Sequence, residues 1–346
     1  MPFTLAQVEN VFNSTLDFYM KKGTPRDQHI QERPLLSKMR AKQKSIPGGK
    51  GRVDMPVVME TSSTLQGFQY DDTVSYGNPT NVKRVSYPWR LFHIGIQTTM
   101  HELLHDGISI TDSTTGKSTS EHSDRELTML VNILEHKVRD MEEGYDRDQN
   151  VLMWRDGTQS ALAYPGITSI VVDNPAAAVV VGGIDQNANS KWRNRASLTI
   201  NLGASAATQA VCLTLDYEMR QLRRYGGRPD LFVAGSDMID RLNKERRANG
   251  TFTQTGFSGS QDLAGGDAIY DGKPVMYDPT LDDLGYAKRL YVLDTRHIFP
   301  FVVEGEDGKM HTPARPEDKY VLYRAKTWVG GMACDQRNCH GVYAFA

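Results

Sequence analysis

The stretch Glu121-His-Ser-Asp-Arg-Glu-Leu-Thr-Met-Leu-Val-Asn-Ile-Leu-Glu-His-Lys-Val-Arg-Asp-Met-Glu-Glu-Gly-Tyr-Asp-Arg-Asp-Gln-Asn150 decides the fold. Its apolar residues Leu127, Leu130, Val131, Leu134, Val138, Met141 and Tyr145 advance in steps of three or four, with one step of one. That spacing places all of them on one face of an α-helix. Ser123 and Glu126 stand at the spacing of a capping box, so a helix start is marked there. A helix over 121–150 would be roughly 40 Å long, about the width of a small domain. It stands alone after some hundred residues of extended, strand-like sequence. A beam of that kind suits a shell subunit better than an enzyme core.

Composition narrows the class. A chain of 346 residues has room for two compact domains, or for one elaborate domain with extensions. Its 39% hydrophobic and 24% charged content is ordinary for a soluble globular protein. The net charge of −2 supplies no overall field toward nucleic acid or an anionic membrane. No apolar run approaches the ~18 residues of a membrane-spanning helix. Residues 1–22 read as a short amphipathic helix, because Gln7, Glu9, Asn10 and Asp17 interrupt the apolar positions a secretory signal would keep together. Cys212, Cys334 and Cys339 are too few for a disulfide framework and fit a reducing compartment. The expectation is a chain made in the cytoplasm.

Charge and punctuation are uneven along the chain. Residues 21–52 carry ten basic side chains, Arg33, Lys38, Arg40, Lys42 and Lys44 among them, against Asp27 and Glu32, a local excess of +8. Pro25, Pro34, Pro47, Gly48, Gly49 and Gly51 discourage a packed element. Yet Ile30, Leu35, Leu36, Met39 and Ile46 are residues a solvated tail has little reason to hold. The segment reads as an arm that lies on something. The later half of the long helix is acidic at Glu135, Asp140, Glu142, Glu143, Asp146 and Asp148, opposite in sign. The arm is therefore expected to dock on such a face, its own or a neighbour's.

Two strand-like stretches, 53–74 and 82–97, flank the turn chemistry of Gly77-Asn78-Pro79 and predict a long hairpin. A hairpin of that length cannot bury both faces alone and needs a partner surface. Further strands are expected near 169–172 and 176–181. The second half predicts a helix over 206–225 ending at Gly226-Gly227, a strand over 230–234 and a helix capped by Ser236 and running to about Arg247. A Gly/Ser/Thr-rich loop over 250–266 follows, then strands over 273–277, 289–293 and 298–303, and a strand-rich tract over 319–346.

Three motifs point toward enzymes. His101-Glu102-Leu103-Leu104-His105 is a literal zinc-protease pattern, in which both histidines ligate and the glutamate activates water. A strand-like run precedes it and Asp106-Gly107 follows at once, leaving no room for the helix such a site needs. Thr115-Gly116-Lys117-Ser118 resembles the tail of a phosphate-binding loop, but Thr111 stands where the first glycine belongs. Cys334, Cys339 and His340 lack a second cysteine pair. No catalytic, cofactor or metal residue is assigned.

The order of parts resembles the major capsid protein of tailed bacteriophages over essentially the full chain. The phrases that carry it are Gly182-Gly183-Ile184-Asp185 with Lys191-Trp192-Arg193-Asn194, Arg228-Pro229-Asp230-Leu231-Phe232-Val233-Ala234-Gly235-Ser236, and Tyr270-Asp-Gly-Lys-Pro-Val-Met-Tyr-Asp-Pro279 leading to Tyr291-Val-Leu-Asp294. The ending from Tyr323-Arg-Ala-Lys326 through Cys334-Asp335 to Gly341-Val342 is similar too. The resemblance implies an α+β, Hong Kong 97-type capsid fold. Its parts would be an N-terminal arm over 1–52, an extended hairpin loop over 53–98 and a peripheral domain over 99–174 built on the long spine helix. An axial domain over 175–318 and C-terminal strands over 319–346 would complete it.

Such a protein is a structural virion component, not an enzyme. It self-assembles in the host cytoplasm into hexamers and pentamers of an icosahedral shell around double-stranded DNA. The resemblance implies a portal and a separate scaffolding protein as partners, leaves a decoration protein open, and implies no cofactor and no membrane. Contacts between subunits are expected at Arg33, Lys38, Arg40, Lys42, Lys44, Gly77, Asn78, Lys83, Arg84, Glu142 and Glu143. Some relatives join a hairpin lysine to a neighbour's asparagine, a role for which Lys83 and Asn338 are the candidates, though no motif singles them out. The alternatives are a zinc metallopeptidase on His101, Glu102 and His105, and a cellular compartment shell of the same fold.

Overall fold

A computed structural model describes residues 30–49, 51–61, 63–74, 76–77, 81–99, 124–203, 208–248, 269–311 and 321–346. The chain divides into Met1–Glu32 and Arg33–Ala346. Of the first unit, only residues 30–32 are described, exposed and without regular structure.

The long helix, α2, spans Asp124–Trp154 over 31 residues, or about 46 Å. It runs four residues beyond the expected end, because its last turn becomes core. Asn150, Met153 and Trp154 are fully buried there, and Gln149 nearly so. Burial on several sides erases the one-faced stripe that sequence reading follows. Among the expected stripe positions whose side chains are described, Met141 is buried and Val138 and Tyr145 are half-buried. Ser123 and the two enzyme-like motifs at 101–105 and 115–118 lie outside the described residues, as does the loop over 250–266.

The arm is packed after all. Helix α1, Pro34–Arg40, buries Leu35, Leu36 and Met39. Strand β1, Lys44–Ile46, pairs in parallel with Phe301, Val302 and Val303. The prolines that argued against structure sit where they cost nothing. Pro34 opens α1, where an N–H has no helical acceptor, and Pro47 follows the strand.

The hairpin is shorter than expected and its second limb is divided. β2, Arg52–Val58, pairs antiparallel with β3, Val82–Pro88, and the described residues among 59–74 form no strand. β4, Arg90–Thr99, leaves the hairpin and pairs with Val321–Gly330. Pro88 marks the break, since it offers no N–H to continue the ladder. Ser86 N donates to Gly182 O at 2.9 Å and ties the hairpin to the loop of a small ribbon, β5 (Val180–Val181) and β6 (Ile184–Asp185). Gly182, at φ +60°, has Val85 and the Tyr87 ring where a Cβ would stand.

Two larger sheets organise the rest. One has the order β1-β12-β14-β13, with β12 Ile298–Val303, β13 Lys309–His311 and β14 Val321–Cys334, and β4 also paired to β14. The other has the order β7-β15-β11-β8-β10-β9. Its strands are β7 Arg195–Ile200, β8 Leu231–Ala234, β9 Ile269–Tyr270, β10 Lys273–Tyr277, β11 Arg289–Leu293 and β15 Gly341–Phe345. Expected strands at 230–234, 273–277, 289–293 and 298–303 are thus present. The expected strand at 169–172 is instead a helical turn, α3, Ile167–Ile170. Its β-branched residues fit a core position as well as they fit a strand. Of the run 176–181, only Val180–Val181 is extended into a strand.

Helices α4, Ala210–Arg223, and α5, Ser236–Ala248, bury Val211, Leu215, Leu222, Met238 and Leu242 against Phe232, Val275, Val292 and Tyr343. The α4 start is held by the buried Glu245, whose carboxylate accepts from Val211 N at 3.2 Å and Cys212 N at 3.1 Å. Ser236 opens α5, and its N–H is received by Asp282 at 3.0 Å. Asp282 belongs to the short helix α6, Pro279–Asp283, so the cap comes from another element rather than from the serine read in sequence.

A second core joins the remaining elements. Trp154, Trp192, Trp328, Tyr87, Tyr164 and Tyr291 pack with Leu35, Leu36, Met39 and Phe301. Inside it, the fully buried Arg337 donates to Ile170 O at 2.7 Å, Trp192 O at 2.9 Å, Asn194 Oδ1 at 3.0 Å and Gln186 Oε1 at 3.2 Å. Burial lowers its pKa, and four oxygens replace the water it has lost.

Candidate functional site: the arm helix, the hairpin and its apolar loop

Ion pairs set the register of the arm helix on the second half of α2, beneath which its apolar face is buried. Arg33 pairs with Glu143, and Arg40 pairs with Asp146 and donates to Gln149. Tyr145 lies between cations, with Lys326 Nζ 4.2 Å and Arg40 Cζ 5.6 Å from its ring centre. Burial raises the Tyr145 pKa, so the phenol stays neutral and its ring faces the cations. Lys44 Nζ sits 3.4 Å from the Phe299 ring centre, and Gln43 donates to Asp307 at 2.6 Å.

Several residues expected to contact neighbouring subunits also have partners within the chain. Arg33, Arg40 and Glu143 have their partners within the chain, as does Lys44. The apolar face of α1 drives this, since Leu35, Leu36 and Met39 bring the cations down onto the acidic helix. Lys83 donates to Asn189 of the same chain. Lys38, Lys42, Gly77, Arg84 and Glu142 are exposed, and Asn78 lies outside the described residues. Asn338 accepts from Gln336 at 2.9 Å and lines a groove of about 620 Å³ with Val57, Met59, Lys191 and Tyr225.

A stronger surface signal comes from the far part of the stretch expected as the hairpin's first limb, 53–74, and from the turn after it. Past Val58 the chain carries Leu65, Phe68, Tyr70, Val74 and Tyr76 into solvent, with Leu65 at 104% and Tyr70 at 111% of full exposure. Val82 and Leu91 extend the exposed set beyond the loop. Five large apolar side chains left in water on one short segment point to a surface that another surface covers. The signal that could have found them is an apolar series, Phe68, Tyr70, Val74 and Tyr76 on one alternating parity, set among Ser63, Thr64, Gly67 and Asp71.

Among the described residues, no group of three His, Cys, Asp or Glu side chains is placed to hold a metal. Cys339 Sγ donates to Gln336 O at 2.9 Å. His340 Nδ1 accepts from Asp294 N at 3.1 Å, which leaves the proton of a neutral ring on Nε2. Burial pushes the His340 pKa down to about 3 and the Cys334 thiol upward, so both stay uncharged near neutrality.

No known protein family matches the sequence, and no curated protein matches it. Solved structures match the fold. The capsid asymmetric unit of cyanophage A-1(L) is similar with a TM-score of 0.64 at 14% identity, over 94% of this chain and 96% of that one. The capsid of Myoviridae phage XM1 gives 0.54 at 11% identity, over 95% and 98%. The SrpI encapsulin complex of Synechococcus elongatus gives 0.52 at 11%, over 95% and 94%. Along nearly its whole length, this chain has the Hong Kong 97-type fold of phage capsid proteins, which an encapsulin shell shares.

Proposed function

We propose that the chain is a major capsid protein of a tailed bacteriophage. It self-assembles into hexamers and pentamers of an icosahedral shell that encloses double-stranded DNA, and its role is structural rather than enzymatic. The observation that carries this reading is the row Leu65, Phe68, Tyr70, Val74 and Tyr76, standing in solvent on a chain with a shell-subunit fold. Covering one large apolar side chain contributes about 1.5–3 kcal/mol. A neighbour that covers several would gain enough to offset much of the entropy lost on association. Lys38, Lys42, Arg84 and Glu142 remain exposed for such contacts. The reading places the protein in the virion after assembly in the host cytoplasm, with a separate scaffolding protein and a portal as partners.

The likeness to an encapsulin supports a second reading, a cellular compartment shell filled with protein cargo. Electron microscopy of the purified product, made alone and with a scaffolding protein, tests both. Closed icosahedral particles are expected, and DNA or protein content separates the two shells. A particle-free monomer under both conditions overturns them. One equivalent of bound zinc, lost on His105→Ala, would favour the peptidase alternative instead.

A further inference from the structure

We propose that the basic pocket at the end of α4 is an anion site that takes the phosphate backbone of enclosed nucleic acid. Arg223, Gly226, Gly227, Arg228 and Lys273 line this cavity of about 480 Å³. Arg220 and Arg224 lie on the same exposed helix end, and Lys191 reaches Tyr225 beside it at 3.1 Å. In a chain of net charge −2, this is a local concentration of positive charge.

The nearby carboxylates are already engaged. Glu218 holds Arg195 through two bonds of 2.7 Å, and Asp216 receives the Tyr270 hydroxyl. Asp230 receives Thr295 N at 2.7 Å, and Asp294 takes the Arg228 backbone N–H at 2.7 Å and the Arg296 side chain. Asp271 pairs with Arg223 and offsets that one cation. The Arg220 and Arg228 guanidinium groups have no partner among the described residues, so their charge faces outward. Lys273 is held against the wall by a bond to Pro229 O and keeps further N–H donors for a ligand.

The pocket floor is open to a bulky anion. Gly226, at φ +88°, has nothing within 4 Å of a Cβ position, so a phosphate can approach the backbone there. The helix end is negative by itself, but Arg223 O is bonded by Gly226 N at 3.0 Å and Gln221 O by Arg224 N at 3.2 Å. Tyr225 stands exposed with Lys191 Nζ 5.0 Å and Arg224 Cζ 5.6 Å from its ring centre, and aromatic residues among cations are the pattern of nucleic-acid surfaces. That favours a nucleic acid over an acidic protein segment. The inference rests on the shell reading only for the source of the polyanion.

The test is binding of a labelled DNA duplex to the full chain across a salt series. Arg223→Gln, Arg228→Gln and Lys273→Gln combined should weaken binding at least tenfold at about 0.1 M salt and flatten the log–log salt slope by about two to three. Arg223→Lys with Arg228→Lys should keep most of the affinity, which separates charge from misfolding. Inorganic phosphate should compete only weakly. Unchanged duplex binding in the triple variant overturns the proposal. So does a pocket-dependent affinity for polyglutamate without one for DNA. Micrographs of the same preparations report separately on the shell reading.

Discussion

Trp154 Nε1 donates to Asp278 Oδ2 at 2.9 Å and fastens the last residue of the long helix to the start of α6. Asn150 adds a 2.8 Å bond to Thr280 Oγ1 from one turn earlier, and Asp278 also accepts from Thr280 N at 3.0 Å. One buried carboxylate therefore caps a short helix and anchors a long one. Asp278→Ala should cost about 2–4 kcal/mol, because it strands buried donors on both elements. Trp154→Phe removes one bond and should cost less than Asp278→Ala by urea unfolding. Equal stability of Asp278→Ala and wild type would refute the anchoring role.

Acid should weaken the subunit through His340. Its folded pKa is depressed to about 3, against about 6.5 for an unperturbed histidine. Between those values the unfolded chain binds a proton that the folded chain excludes. Stability is complete above pH 6.5 and falls toward pH 3, by up to about 1.4 kcal/mol per pH unit. His340→Asn keeps an acceptor near Nδ1 and has no such titration. Its urea midpoint should fall less than that of wild type between pH 7 and pH 4.5.

The arm helix should depend on its apolar face more than on its ion pairs. Leu36→Ala should lower stability by about 2–4 kcal/mol. Arg40→Gln removes a pair that is about a third exposed and should cost less than about 1 kcal/mol. A reversed order in chemical denaturation would mean that charge, rather than burial, holds the arm.

For the apolar loop, subunit stability and assembly should separate. Phe68→Ser with Tyr70→Ser touches nothing buried, so stability should stay within about 0.5 kcal/mol. Particle yield, counted by electron microscopy, should collapse. Normal particles from this variant would remove the loop from the interface.

Gly330 should tolerate no side chain. A Cβ there would meet Phe301 O and come within 2.8 Å of the Trp328 ring. β12 and β4 flank β14 at this residue, which faces Val302 on one side and Arg90 on the other. Gly330→Ala should cost roughly 1–3 kcal/mol by overpacking. Gly77→Ala has open space around it and should be neutral in the same assay.

What the sequence disclosed depended on whether a signal was local. The long helix was legible because Val138, Met141 and Tyr145 keep helical spacing, and β8, β10, β11 and β12 were legible as short apolar runs. The division of the hairpin was not. Val85, Tyr87, Trp89 and Leu91 keep one alternating parity straight through Pro88, while the pairing partner changes from Arg52–Val58 to Val321–Gly330. Parity records which face a side chain takes and not which strand lies alongside. The arm misled for a related reason, since Pro34 and Pro47 are breakers by type but terminators by position. Arg337, Asp278 and Glu245 gave no signal, because each is defined by partners distant in sequence. The exposed loop was visible in composition, and its exposure required the fold.

The pairing of Lys44–Ile46 with Phe301–Val303 also sets an order of events during synthesis. The two partners are separated by 257 residues, from Lys44 to Phe301. At about 5–20 residues per second, the ribosome needs roughly 13–50 s to deliver the second after the first. Throughout that interval the basic segment has no sheet edge to join. Its last stitch therefore closes only on a nearly finished polypeptide, so a copy truncated before β12 can seat Arg33 and Arg40 on α2 but leaves Lys44–Ile46 without a strand to join.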